Sequence, residues 1–222
     1  MSEIYFIRHG QASFGSENYD NLSELGHQQS KILGNYLKET GVEFDRVVTG
    51  TLNRQQQTCE NIIKVMELSS TPENQSLLNE YDVKSVLSSF VGKRELTHGE
   101  LYDKKEHFIL LRSAVKAWSE KKLDSDLIES WSDFQKRGSD ILNELIKSQF
   151  KRTLVISSGG TISMIIAKLL ELPSSQFVNF HMQIFNTGFS KVKFNEYGIS
   201  LTLFNSVAHL ESFKEPKFIT HV

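Results

Sequence analysis

Residues 4–11 read Ile-Tyr-Phe-Ile-Arg-His-Gly-Gln, and this stretch decides the fold class. Four successive apolar residues, too few for a helix, predict a short strand that is buried on both faces. The strand stops at Arg8 and His9, and Gly10 indicates a loop immediately after them. Buried strands that end in polar side chains are typical of parallel α/β sheets, where ligands bind beyond the carboxyl ends of the strands.

The same pattern recurs twice along the chain. Short apolar runs at 46–49 and 153–157 are each followed by a polar loop and a segment with helical periodicity. Ser23 predicts the start of a helix that runs to about residue 40, and Thr51 predicts the cap of the helix after the second strand. Two alternating segments, around 187–194 and 198–206, predict a late antiparallel hairpin.

Between these elements, residues 83–130 carry helical patches and charged clusters but no strong strand pattern. We interpret this segment as a helical insertion, or cap, within a single domain spanning residues 1–222. The predicted fold is therefore an α/β three-layer sandwich. Its central sheet is mainly parallel, with antiparallel edge strands and the helical insertion over the core.

Composition excludes several classes of protein. The chain has 222 residues, of which 39% are hydrophobic and 23% charged, as in an ordinary globular domain. A net charge of −2 gives no electrostatic reason to expect nucleic acid or an anionic membrane as a partner. A single cysteine, Cys59, and the lack of a signal-peptide pattern predict a cytoplasmic protein. The oligomeric state is not predictable from these features.

Three loops should meet at one edge of the predicted sheet: Arg8 to Gly15, Gly50 to Arg54, and Ser157 to Thr161. Together they bring two arginines, one histidine and a helix N-terminus, which attracts anions. Guanidinium groups bind phosphate oxygens in pairs, and nearby positive charges keep an imidazole neutral and nucleophilic. The sequence thus predicts a phosphate pocket that contains a nucleophile, His9.

Four blocks of sequence resemble the histidine phosphatase (phosphoglycerate mutase-like) superfamily. They are Arg8-His9-Gly10, the Leu-Ser-Glu-Leu-Gly-His-Gln-Gln stretch at 22–29, the Thr-Leu-Asn-Arg-Gln-Gln-Gln-Thr stretch at 51–58, and Asn-Ser-Val-Ala-His-Leu at 205–210. The tripeptide alone is a weak signal. Four blocks in the family's order, over nearly the whole chain, are a specific one.

This resemblance implies a function and assigns residues to it. His9 would carry the phosphoryl group, and Arg8 and Arg54 would hold it, so that neither a metal nor a cofactor is needed. Glu80 matches the family's acid/base and Asp82 is the competing carboxylate. The implied activity is phosphatase action on a small phosphomonoester. Mutase activity is disfavoured, because Gly15 stands where the family's mutases have an asparagine.

One block departs from the family pattern. The third strand ends in Ser157-Ser158-Gly159-Gly160, so that Ser158 replaces the second catalytic histidine of the resemblance. Ser158 and Gly159 are expected to contact the phosphate, while Gln11 either lines the pocket or is only a loop residue. His181 or His209 could supply an imidazole instead. The alternative function is therefore a catalytically weakened member that binds a phosphorylated ligand or partner.

Overall fold

A single mixed sheet occupies the centre of the computed structural model, which describes residues 1–13, 20–92, 94–97, 103–123, 127–213 and 215–221. Its strands are β1 (Ser2–Arg8), β2 (Arg46–Thr49), β3 (Glu73–Asn74), β4 (Arg152–Ser157), β5 (Phe189–Asn195) and β6 (Gly198–Ser206). Across the sheet the order is β3-β2-β4-β1-β5-β6. The first four strands are parallel, and β5 and β6 continue the sheet as an antiparallel hairpin. The predicted sheet is confirmed.

Helices cover both faces of this sheet. They are α1 (Glu24–Glu39), α2 (Asn53–Met66), α3 (Val83–Val91), α4 (Lys104–Ser119), α5 (Trp131–Ile146), α6 (Gly159–Leu169), α7 (Ser174–His181) and the short α8 (Ala208–Glu211). Tyr5 and Ile7 of β1 point toward the layer of α1 and α2. Ile4 and Phe6 point the other way, toward α5 and α6. Each such buried side chain contributes about 1.5–3 kcal/mol, which fixes the three layers.

The predicted insertion, residues 83–130, contains α3 and α4 where the structure describes it; residues 93, 98–102 and 124–126 lie outside the described part. Its helices pack on a third apolar cluster that is centred on aromatic rings. Tyr81, Trp118 and Phe134 form the middle of this cluster, with ring centroids 4.9–5.5 Å apart. The cluster joins the inserted helices to the segment that follows the short 3₁₀ turn at Ser76–Leu78.

Helix boundaries follow their caps, with one correction. Ser23 caps α1 as predicted, because its hydroxyl accepts a hydrogen bond from the Gly26 amide at 3.1 Å. Thr51 does not cap α2: the helix begins one residue later, after Leu52. The Thr51 hydroxyl instead accepts a hydrogen bond from the Asn79 side chain at 2.7 Å. Within the described ranges, no helix has both the length and the apolar character needed to cross a membrane.

Candidate active site

Three strand ends meet at one edge of the sheet, because β2, β4 and β1 are parallel neighbours. Arg8 is in register with Ser157, and the His9 amide donates to the Ser157 carbonyl at 3.0 Å. The Gly50 amide likewise donates to the Ile156 carbonyl at 3.1 Å. A cavity of about 650 Å³ opens at this edge, and Arg8, His9, Arg54 and Glu80 are among the residues that line it. The loop after β1 is described only as far as residue 13, so Gly15 lies outside the described residues.

Hydrogen bonds to the His9 ring define its tautomer. Nδ1 lies 2.7 Å from the carbonyl oxygen of Gly10, and a carbonyl can only accept, so Nδ1 carries the proton. Nε2 lies 3.1 Å from Nε of Arg54, which can only donate, so Nε2 is the unprotonated nitrogen. The ring therefore presents the lone pair of Nε2 beside a guanidinium group. A neutral imidazole in this orientation is a nucleophile.

The His9 ring is held in the neutral form by its surroundings. The residue is only 5% exposed, and burial is the main reason why its pKa lies well below the usual value. The positive charges of Arg54 and Arg8 lower the pKa further. The hydrogen bond to Gly10 acts in the opposite direction. At neutral pH Nε2 therefore carries no proton, and its lone pair accepts the hydrogen bond from Arg54, which a bound phosphoryl group would have to replace.

Both arginines of the pocket have fixed positions. Arg54 lies in the first turn of α2, and its Nη1 forms an ion pair with Asp20 at 2.5 Å. The Arg8 guanidinium donates to the carbonyl of Ile184, which also lines the cavity. Two guanidinium groups near His9 supply planar donors of the kind that binds a phosphoryl group.

The loop after β1 is held by two other elements. The Gly10 amide donates to the hydroxyl of Thr58 at 3.0 Å, and that hydroxyl donates to the carbonyl of Arg54 at 2.7 Å. Gly10 also packs on α1: a Cβ atom there would lie 2.4 Å from the carbonyl oxygen of Gly26. Both glycines of the matched blocks are therefore required by close backbone approach. This packing fixes His9 relative to Arg54.

The two candidate acid/base residues make different contacts. One carboxylate oxygen of Glu80 accepts a hydrogen bond from the Gly160 amide, in the first turn of α6, at 3.0 Å. The Asp82 carboxylate accepts from the amide of Ser85 at 2.6 Å and caps α3. Both residues line the cavity. Glu80 thus occupies the anion-binding end of α6, where the sequence predicted the phosphate itself.

Three predicted phosphate contacts lie outside the lining of the cavity as far as the structure describes it. Ser158 is 0% exposed, and its hydroxyl accepts a hydrogen bond from the Gln55 side chain at 2.9 Å. Gly159 is buried beside Arg8: a Cβ atom there would lie 3.4 Å from Arg8 Nε. The Gln11 side chain accepts a hydrogen bond from the Ser23 hydroxyl at 3.0 Å. A role of Ser158, Gly159 and Gln11 in binding phosphate stays a prediction.

The two other candidate histidines have different positions. His181, at the end of α7, lines the cavity, and its Nε2 lies 2.9 Å from the Tyr81 hydroxyl. Burial lowers the pKa of His181, and the ring is close enough to Glu80 and Arg8 to experience both charges. His209 is 1% exposed and pairs with the Thr187 hydroxyl at 3.0 Å, away from the described cavity lining. His181 is therefore the imidazole that lies near the pocket.

Sequence reasoning missed two residues of the site. Asp20 pairs with Arg54 and also accepts a hydrogen bond from the Asn53 amide at 2.9 Å, which ties the loop after β1 to the start of α2. Tyr81 contacts both His181 and the aromatic cluster. Tyr81 could have been found from the sequence, because it directly follows Glu80. An acidic residue in a loop gave no comparable signal for Asp20.

Known proteins resemble this chain over part or all of its length. Phosphoglycerate mutases that depend on 2,3-bisphosphoglycerate are 38% identical over 69 residues in Bartonella tribocorum and 34% identical over 87 residues in Mesorhizobium japonicum. These matches cover 28% and 36% of this chain, and 34% and 42% of the relatives. The chain thus spans less than half the length of these curated relatives.

Solved structures resemble the whole fold at low identity. A phosphoserine phosphatase from Entamoeba histolytica, solved with phosphoserine, superposes with a TM-score of 0.67 at 21% identity, over 95% of this chain and 100% of that one. An Escherichia coli protein described as an α-ribazole-5′-phosphate phosphatase gives 0.64 at 21% identity, over 93% and 98%. The model of the histidine phosphatase superfamily (branch 1) matches residues 4–207. With this match extending over nearly the whole chain, the protein belongs to the histidine phosphatase superfamily.

Proposed function

We propose that this protein is a phosphatase that hydrolyses a small phosphomonoester through a phosphohistidine intermediate on His9. The observation that carries the proposal is the pairing of both ring nitrogens, which leaves the Nε2 lone pair beside the Arg54 guanidinium. Phosphatases among the structural relatives support the same class of reaction.

In the first step, Arg8 and Arg54 hold the phosphoryl oxygens and neutralise their charge. Nε2 of His9 forms a bond to phosphorus as the bond to the ester oxygen breaks. Glu80, in its protonated form, gives its proton to that oxygen, and the alcohol leaves. The products of this step are the free alcohol, a phosphorylated His9 and an ionised Glu80.

In the second step, the Glu80 carboxylate removes a proton from a water molecule. The water oxygen attacks phosphorus, and the bond to Nε2 breaks. Inorganic phosphate is released, and both His9 and Glu80 return to their starting forms. The contact between Glu80 and the Gly160 amide supports this role, since it fixes the position of a carboxylate that lines the cavity.

His181 is proposed as a further donor to the phosphoryl group. Its ring lies against the backbone of Gly159, at the start of the helix where Ser158 replaces the histidine of the resemblance. Burial lowers its pKa, which favours the neutral ring, and in this role Nε2 would exchange its contact with the Tyr81 hydroxyl for a phosphoryl oxygen. Removing one preorganised donor of this kind typically costs about 10²–10³ in rate.

The competing proposal is a weakened member that binds a phosphorylated ligand, and it is motivated by the serine at position 158. Rapid quenching after mixing with an aryl phosphate, followed by mass spectrometry of the peptide that contains His9, separates the two. The phosphatase proposal expects an acid-labile phosphoryl adduct on His9 that forms and decays at the rate of turnover. Phosphate release without this adduct would contradict the mechanism, and no turnover at all would favour the binding protein.

Two substitutions control this experiment. His9→Ala should abolish both the adduct and turnover, because no other group of the proposed mechanism attacks phosphorus. His27→Ala is the matched control: His27 lies on α1 and pairs with Asn61 at 3.0 Å, outside the described cavity lining. An adduct that persists in His9→Ala would assign the nucleophile to another residue.

A further inference from the structure

The cavity extends well beyond the space that a phosphate group needs. Its volume of about 650 Å³ lies in the range that takes ligands of drug size, roughly 300–1,000 Å³. Arg8, His9 and Arg54 line only one part of it. The remaining volume can hold the part of the substrate that carries the phosphate.

One wall of this volume is mainly apolar, and Lys84 and His107 are its polar members. It is built from three parts of the chain: α3, α4 and the segment that follows α7. Its side chains are only partly covered by protein on α3 and α4, where they pack at the border of the aromatic cluster. The apolar residues of the wall are Val83, Leu87, Phe108, Leu111, Met182 and Ile184.

The charges of the outer cavity disfavour a second anionic group on the substrate. Among the described lining residues, Lys84 is the one lysine or arginine besides Arg8 and Arg54. It is exposed and lies in the first turn of α3. Asp82 also lines the cavity and would repel a carboxylate or a second phosphate, whereas the charge of Asp20 is compensated by Arg54. The pKa of His221 is lowered, first by partial desolvation and then by the positive charge of Arg8.

We propose that the substrate is a phosphomonoester with one phosphate and an uncharged, apolar alcohol part, either an alkyl chain or an aromatic ring. This inference rests on the proposed phosphatase function. Apolar surface removed from water on binding would supply the affinity, and the two arginines would fix the phosphate. Small polyanions of the phosphoglycerate type would leave the apolar wall uncovered.

A series of straight-chain alkyl phosphates, from methyl to octyl, tests this inference. Their leaving groups have nearly equal basicity, so changes in kcat/KM along the series report binding of the chain. We expect kcat/KM to rise about fourfold for each methylene group until the cavity is filled. A flat series would overturn the proposed substrate class, and so would faster turnover of phosphoserine or 3-phosphoglycerate than of butyl phosphate.

Two substitutions on α3 test whether the wall is responsible. Leu87→Asn makes the wall polar, and it should reduce the ratio of kcat/KM between hexyl and methyl phosphate by at least fivefold. Ser88→Asn adds the same side chain at the neighbouring, exposed position, and this ratio should stay at its original value. Thermal unfolding of both variants verifies that they are folded. Equal ratios in the two variants would contradict the assignment of the wall.

The outcomes also separate this inference from the proposed function. Turnover with a His9 adduct but no dependence on chain length would remove the substrate class and leave the phosphatase in place. Absence of the adduct with every alkyl and aryl phosphate would remove the phosphatase proposal itself.

Discussion

Gly160→Ala provides a sharp test of the role proposed for Glu80. A Cβ atom at Gly160 would lie 2.3 Å from Oε1 of Glu80 and 2.6 Å from the Tyr81 ring. The ring is 3% exposed and packs between Trp118 and Phe134, so it has little space to move. The Glu80 carboxylate must therefore retreat, by about 1.1 Å, to reach an ordinary contact distance of 3.4 Å.

The size of the effect follows from that displacement. A shift of about 1 Å in a catalytic group can cost about 10² in rate. We expect kcat/KM for an alkyl phosphate to fall by about that factor, because an alkoxide leaving group needs the Glu80 proton. For a nitrophenyl phosphate the fall should be much smaller, since a nitrophenolate leaves without protonation. The crowding should also reduce the free energy of unfolding by about 1–3 kcal/mol.

Steady-state kinetics on the two substrates, with a double-mutant cycle, measures the effect. In a Glu80→Gln background, Gly160→Ala should cause little further loss on the alkyl phosphate, because the affected group is already gone. The reasoning is refuted if folded Gly160→Ala retains full activity on alkyl phosphates. It is equally refuted if the substitution costs the same factor with and without Glu80.

Three other substitutions give distinct expectations. Ser158→Ala should reduce the free energy of unfolding by about 1–3 kcal/mol, because it leaves an amide proton of Gln55 unpaired, while turnover changes less than tenfold. Loss of turnover beyond 10² in a folded variant would instead place the Ser158 hydroxyl on the phosphate. His181→Asn should lower turnover by about 10² and still form the His9 adduct; unchanged turnover would remove His181 from the mechanism. Burial lowers the pKa of His209 from its usual value of 6.5 to about 3. At a pH between these two values the unfolded chain binds a proton at His209 and the folded chain does not. The contribution of His209 to stability is therefore full above pH 6.5 and is lost as the pH falls toward 3. Between pH 4 and 6, the free energy of unfolding measured with denaturant should depend less steeply on pH in His209→Gln, by about 1.4 kcal/mol per pH unit. An identical slope would contradict the burial of a neutral His209.

Much of the fold could be predicted from local sequence patterns. Four apolar residues before Arg8 have no helical alternative at that length, and the matching runs in β2 and β4 require partners on both sides. Ser23 predicted the start of α1 because capping depends on only three residues of chain. The two-residue strand β3 gave no comparable pattern, since it is too short to show alternation.

The contacts of the pocket were less accessible from sequence, because they join distant segments. Glu80 meets Gly160 across 80 positions, and Gln55 meets Ser158 across 103. No periodicity encodes such pairs; they appear only when the strand order places β4 between β2 and β1. The wrong prediction of a cap at Thr51 has the same origin, because its hydroxyl accepts a hydrogen bond from Asn79, a residue that follows β3 in the chain.

The aromatic packing of Tyr81 ties chemistry to architecture. Trp118 comes from α4 and Phe134 from α5, yet both support the ring that immediately follows Glu80 in the chain. Through Trp118, the inserted segment therefore helps to position the proposed acid/base, besides forming a wall of the cavity. If residues 83–130 were replaced by the corresponding segment of a relative in order to change the substrate preference, the position of the proton donor, Glu80, would change as well. In this fold, selectivity and rate would evolve together.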